Sequence, residues 1–562
     1  MSPEPPARPA SGPPRPTGER SGGEDGHDLD DQLAAYLDEV FADAPQLATF
    51  HGRPGLDTES PDLSADAIAE REQRDDAWLT RFAGYGDAML DPEQRTDRDL
   101  VIAVLRGRAV LRDWQAWRRR PEHYVNPALM GVFSLFLRRP LPDPALVAAA
   151  VARLSAVPEL LAAGRANLDP GLVPRVLAER GLGMCRAGAA YARDLVPREV
   201  DDPDARARLA EAGAVAGEAF DGFAAHLESL LDGAGENWAI GESRYTALLH
   251  ETELLADDTT RLHERGRAAW AEIEAEMTAI ARTIDPLTPD WLAAVRSCGD
   301  DRPATPDAMR LAYERETARA RQFLIDHRLV TLPEGERCEV VPSPPFQRPV
   351  MAVASYFPPP AFASSLLGRF NVPYPPDGAP PEEVTARLSD NGHHAIPTIT
   401  AHEAYPGHHW HLTTMARARP VRRVHRSPYF TEGWALYAEQ VMREHGYFAD
   451  ARAELMHLSF RLFRAARIVV DTALHAGDMT RDQAVDHLVD HVGLTEPVAR
   501  TEVARYCATP TQAAAYLTGC LEIGRLRDRW FAEGRGDLLG FHDSLAATGA
   551  LPVALAERAG LP

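Results

Sequence analysis

His402-Glu403-Ala404-Tyr405-Pro406-Gly407-His408-His409 is a stretched form of the H-E-x-x-H pattern. In the regular pattern two histidines one helical turn apart bind Zn²⁺, and the glutamate beside the first is the general base. Here the expected second ligand position is Pro406. In a regular helix its ring would clash with the carbonyl of His402 and remove the hydrogen bond between them. Gly407 can then leave helical φ/ψ at little cost. On an unbroken helix His408 would be rotated by about 120° from His402, and His409 would face correctly but lie about 10 Å along the axis. A two-residue bulge at Pro406-Gly407 therefore predicts His408, in preference to His409, as the second ligand.

Downstream, Thr431-Glu432-Gly433-Trp434-Ala435-Leu436-Tyr437-Ala438-Glu439 supplies carboxylates for a third ligand. Glu432 falls near a helix start that Ser427-Pro428 can set up, and Glu439 lies seven residues on, on nearly the same face. Glu432 is assigned to the metal and Glu439 to supporting a ligand from behind. Upstream, between about Arg337 and Asp390, Cys338–Pro342, Val350–Tyr356 and Arg369–Val372 are β-prone runs separated by prolines, which fit a small sheet. By analogy with zinc peptidases, such a strand would run along the cleft with an edge free for an extended substrate.

Helical periodicity dominates elsewhere. Leu33, Tyr36, Leu37 and Val40 share one face of a first helix, and the pattern recurs in Asp99–Trp117, Pro144–Ala166, Asp204–Leu231, Asp258–Ile284 and Thr305–His327. The expected architecture is mostly α. It comprises a Pro/Gly-rich disordered tail over residues 1–27, a helical N-terminal lobe over 28–336, and a metal-binding catalytic lobe over 337–562, the lobes belonging to one fold. No repeat of solenoid length is apparent.

The 562 residues carry a net charge of −23, which argues against nucleic acid or an anionic membrane as partner. Every basic residue is arginine, a bias of composition rather than of function. The five cysteines form no C-x-x-C pair, so neither a disulfide framework nor a cysteine zinc site is expected. The tail lacks the apolar core of a signal peptide, and no apolar run approaches the roughly 20 residues of a membrane span. The expectation is a cytoplasmic protein.

Two resemblances add to this reading. The Glu432 segment resembles the N-E-G-F-A helix of aminopeptidase N-type gluzincins, whose glutamate is the third zinc ligand. H-E-x-x-P-G-H followed by E-G-W-A-L-Y-A-E resembles the bacterial domain-of-unknown-function family 885, grouped with metallopeptidases of the H-E-x-x-H clan. That resemblance runs through Tyr245–Met277, Arg464–His475, Arg505–Tyr506, Pro510–Gly519 and Phe541–Asp543. It implies one large helical fold with a deep cleft between two lobes. Thr511 stands where the family usually has glycine, and His411 where it commonly has glutamine.

With zinc on His402, His408 and Glu432, one position is left for water, as catalysis requires. Glu403 would take the water's proton and pass it to the leaving amine. Arg505-Tyr506 and Tyr516 are candidates to stabilise the oxyanion, because related gluzincins use a tyrosine from a later helix; Tyr516 is preferred. Arg464, Arg467, Asp471 and His475 line one helix face. His475 would orient substrate or a ligand and Arg467 would bind a substrate carboxylate, or the row is an internal salt-bridged face. Trp434 reads as core. The function expected is zinc-dependent hydrolysis of short peptides or acylamino compounds. A metal-dependent amidohydrolase acting on a non-peptide metabolite and a non-catalytic helical metal-binding protein are the alternatives.

Overall fold

Side-chain caps start several of the long helices. Asp91 caps Pro92–Asp113, Asp202 caps Pro203–Leu231, Asp258 caps Thr259–Ile284 and Thr305 caps Pro306–Asp326. Each satisfies an N–H that the first helical turn leaves without a partner. The computed structural model describes residues 22–287, 290–348 and 353–560, and they are mostly α-helical. The stretch expected over Asp99–Trp117 begins earlier, at Pro92, and stops at Asp113. Residues 1–21 of the expected tail lie outside the described residues, and a helix runs from Gly22 to Asp43. Leu33, Tyr36, Leu37 and Val40 are buried along it.

The β-prone runs form one three-stranded sheet of order β1-β3-β2: β1 is Arg337–Pro342, β2 Ser355–Phe357 and β3 Leu367–Val372. Residues 349–352, which include the start of the second expected run, lie outside the described residues. Central β3 is parallel to β1, with Val340 opposite Phe370, and antiparallel to β2, with Tyr356 opposite Phe370. Phe370 is fully buried against Tyr313 of Pro306–Asp326, with ring centroids 5.2 Å apart.

Buried apolar side chains gather in three clusters. The largest takes in Leu29–Trp114, Ile240–Val330 and most of the apolar positions from Val340 to Ala556. The second holds Leu63 and Tyr124–Leu230, and the third joins Val176, Leu177 and Trp238 to Ala466–Ala513. One correction concerns membrane spans. By length and composition, Asp143–Asn167 is apolar enough to cross a bilayer. Here it is a core helix: Leu146, Val147, Leu154 and Leu161 are buried in the second cluster.

Candidate metal centre

The helix Ile396–Glu403 ends where the motif departs from its usual spacing. Ala404 leaves helical geometry at φ −111° and ψ −85°, the Tyr405–Pro406 peptide is cis, and Gly407 sits at φ −71° and ψ −133°. A new helix then runs from His408 to Thr414. The expected bulge within one helix is thus a full break between two short helices. A Cβ on residue 407 would collide with the carbonyl oxygens of Ala401 and His402, so the close approach requires glycine. The Pro406 carbonyl accepts a hydrogen bond from Trp434 Nε1 at 2.8 Å, and Trp434 stacks on Trp410. Trp434 is core, as expected, and it also anchors the break.

The break brings His408 back to His402. Their rings meet edge to face with centroids 4.8 Å apart. Nε2 of His402 lies 3.5 Å, and Nε2 of His408 3.4 Å, from the same Glu432 oxygen. One ligand atom from each of the three lies within 4.8 Å of the others. Glu432 is carried by Pro428–Glu444, whose start Ser427 caps by accepting from the Tyr429 and Phe430 amides. Ser427 in turn donates to buried Glu253. This helix crosses Ala515–Ala532 at Gly433 and Gly519, where a Cβ on Gly519 would overlap the Tyr429 carbonyl. Glu432 adjoins one crossing glycine, and Tyr516 lies one turn before the other.

Glu439 lies one layer back, with an oxygen 2.7 Å from His402 Nδ1. A carboxylate acceptor there keeps a proton on Nδ1 and turns Nε2 toward Glu432 and His408. Two imidazole nitrogens and a carboxylate facing one point fit a divalent zinc-type cation. Burial pushes the His402 imidazolium down, but its bonds to Glu432 and Glu439 outweigh this and hold it at about 9. Burial opposes ionisation of Glu432 too, yet the His408 and His402 charges hold its carboxyl far below the usual range. Glu439 is likewise down at about 2 despite burial, through His402 and His457. Glu403, half-buried, is shifted upward by burial against the pull of His408, His402 and Arg464.

His409 points elsewhere. Its Nε2 lies 2.7 Å from Glu336 and its Nδ1 2.8 Å from the Tyr356 hydroxyl. Glu336 also takes a hydrogen bond from Tyr405 and an ion pair from Arg321 at 2.9 Å. Tyr516, half-buried, is within the electrostatic reach of Glu432 and stacks under the Arg467 guanidinium at 4.7 Å. Arg467 pairs with Glu502 at 3.0 Å, and Arg505 shares that carboxylate at 2.8 Å while donating to Gln512. Arg464 has no ion pair among the described residues, and the charges of Glu403, Glu432 and Glu439 all act on it or it on them.

His475 requires a correction. It is fully buried, with Nδ1 accepting from the Ile240 amide at 3.3 Å and Nε2 set against the Tyr506 carbonyl at 3.1 Å. Both ring nitrogens are committed to backbone, so it ties two segments together and has none left for substrate. His394 sits between Asp301 and Asp450, at 3.4 and 3.6 Å. Thr511 has φ +71°, a left-handed conformation costly for a β-branched residue. Glycine would adopt this conformation freely. Glu336 and His457 were not singled out from sequence, because neither belongs to a local pattern that includes the motif.

The family described as "Bacterial protein of unknown function (DUF885)" matches residues 45–559. No curated protein matches the chain. A solved structure of a candidate lipoprotein of unknown function from Shewanella oneidensis is 19% identical with a TM-score of 0.78, covering 95% of this chain and 100% of that one. A second, of a candidate lipoprotein from Colwellia psychrerythraea, is 20% identical with a TM-score of 0.82, covering 96% and 99%. At such identity the likeness concerns the fold.

Proposed function

Because the chain belongs to DUF885, a bacterial family of unknown function, we propose its activity from the site itself: zinc-dependent hydrolysis of amide bonds in short peptides. The observation that carries this reading is the convergence of His402, His408 and Glu432 on one point, with Glu403 beside them. The resemblance of the Glu432 helix to that of gluzincins supports the same ligand set. Zinc at such a site supplies Lewis-acid polarisation of a carbonyl and acidification of water. Glu403 takes a proton from the attacking water and returns it to the leaving amine. Tyr516 donates its hydroxyl hydrogen to the carbonyl oxygen as negative charge builds there. Arg467 and Arg505, sharing the one carboxylate of Glu502, carry a net positive charge that suits the free carboxylate of a peptide or acylamino substrate.

A closed structural site would need a fourth protein ligand. The commitment of His409 to Glu336 and Tyr356 speaks for an open, catalytic site. A cytoplasmic location accords with five unpaired cysteines, whereas both solved relatives are candidate lipoproteins; fractionation of producing cells separates the two.

The test is metal content by mass spectrometry together with a peptide-library screen, on protein purified without chelators. About one zinc per chain is expected, lost in His402→Ala and Glu432→Ala. Glu403→Gln should keep the metal and lose hydrolysis. Failure of the wild type to take up zinc at micromolar concentration would end the reading.

A further inference from the structure

A second cationic site lies close to the metal helices and is separate from them. A small pocket of about 20 Å³, open to solvent on one side, is lined by Pro358–Ala361, by Leu412 and Met415 after the His408 turn, and by the connector that leads to Ser427. Its charged and titratable lining consists of His51, Arg138, Arg423 and Arg426, and none of its described lining residues is acidic. Arg138 donates one nitrogen to the Pro358 carbonyl at 2.7 Å, and Arg423 one to the Ala361 carbonyl at 2.8 Å. The buried Nε and Nη2 of Arg138 and the Nε of Arg423 meet no protein oxygen or nitrogen, while the two guanidinium groups lie over the rings of Phe50 at 4.4 Å and Phe362 at 5.1 Å. Arg426 has neither a hydrogen bond nor an ion pair among the described residues.

Neighbouring arginines behave differently. Arg419 and Arg422, on the same connector, bind Asp97, and Arg422 also pairs with Glu93 at 3.0 Å. In a chain with 83 acidic and 60 basic residues, acidic partners are abundant, yet Arg138, Arg423 and Arg426 share a pocket without one. Buried donors that carry charge and lack acceptors are costly. The positive field extends to the neighbours: His51 is pushed down to about 3 by burial and by Arg426 and Arg138. Burial, then Arg426, lowers Arg138 to about 10.

We propose that this pocket binds a small inorganic anion, held by Arg138, Arg423 and Arg426. The anion would pin the Pro358–Ala361 segment to the connector that joins the helix of His408 to the helix of Glu432. It would act as an electrostatic brace for the metal-bearing elements and takes no part in proton transfer.

The test uses the full-length protein in sodium gluconate, whose anion is too bulky for the pocket. It is titrated with sodium bromide or sodium phosphate at constant ionic strength and followed by thermal melting. The expected result is a saturable rise in Tm with at least one of the two, absent in Arg426→Gln and reduced in Arg138→Gln. A response to bromide alone assigns a halide, and one to phosphate alone an oxyanion. In bromide-soaked crystals of the wild type, a halide site gives an anomalous peak within hydrogen-bond reach of Arg138 and Arg426; this readout needs no variant to fold. Identical melting in all three salts, or a rise that Arg426→Gln retains in full, overturns the proposal.

Discussion

His402 is gripped on both sides of its ring, by Glu439 at Nδ1 and by Glu432 facing Nε2. Only the second contact is a candidate for the metal; the first fixes the tautomer and the direction of the ring. Glu439→Ala should therefore leave the ligand atoms in place and still weaken zinc binding by roughly 10- to 100-fold. Glu439→Gln, which keeps an acceptor oxygen, should lose less. Competition with a chromophoric chelator measures both, and equal affinity in the wild type and the Ala variant would remove Glu439 from the site. Asp471 offers a residue-level test away from the metal. Burial pushes its carboxyl up to about 7 against the hydrogen bond from Tyr245, the charge of Arg505 and the Thr511 amide. Its folded pKa thus exceeds the unfolded value of 3.8. Its contribution to stability is complete below about pH 4 and is lost as pH rises toward about 7, where the folded protein finally gives up the proton. Asp471→Asn does not titrate, so its Tm relative to the wild type should climb between pH 5 and 7 and then level off. A pH-independent difference would mean that Asp471 is ionised in the folded protein across this range.

Helices set how closely these residues can approach, and two glycines govern the approach of Glu432. A methyl group at Gly519 would enter the Tyr429 carbonyl and force apart the helices that cross at Gly433. Gly519→Ala should cost at least about 1–3 kcal/mol and lower the zinc content, because Glu432 would be pulled from the two histidines. Gly524, on the same helix, has no atom within 4 Å of an added Cβ. Gly524→Ala should instead stabilise the protein by about 0.5–1 kcal/mol, so chemical unfolding of the pair separates helix propensity from packing. At this scale much was legible in the sequence. The helical periodicity expected over Asp258–Ile284 and Thr305–His327, and the spacing of Leu33, Tyr36, Leu37 and Val40, are local signals, and the structure starts both helices beside those first residues. The Pro406-Gly407 interruption was legible as a departure from helix. Its form was not, because the break is held by Trp434, 28 residues away, and by backbone contacts that only glycine permits. The assignment of His475 to substrate failed for the same reason. Its spacing after Arg467 and Asp471 was read correctly, but its partners, the backbone of Ile240 and Tyr506, come from other elements.

Across the whole molecule, the candidate centre depends on chain far upstream of it. The largest cluster of buried apolar side chains draws on Leu29–Trp114 and Ile240–Val330 as well as on the helices that carry His402, His408 and Glu432. Buried polar links cross residue 336 in the same way. Fully buried Asp97 binds Arg419 and Arg422, and Tyr245 donates to Asp471 at 2.6 Å. Cutting the chain at 336 would expose a continuous core, part Asp97 from Arg419 and Arg422, and take Tyr245 from Asp471. Breaking a buried pair costs about 3–5 kcal/mol, comparable with the entire stability of a domain, about 5–15 kcal/mol. A fragment of residues 337–562 should accordingly show helical circular dichroism at most, with no cooperative melting transition and no stoichiometric zinc. Co-expression with residues 22–336 should restore both, since the two pieces together contain every contact named above. Cooperative unfolding and one bound zinc in the isolated fragment would instead mean that the metal-bearing helices are self-sufficient, and that the upstream helices serve the substrate rather than the fold.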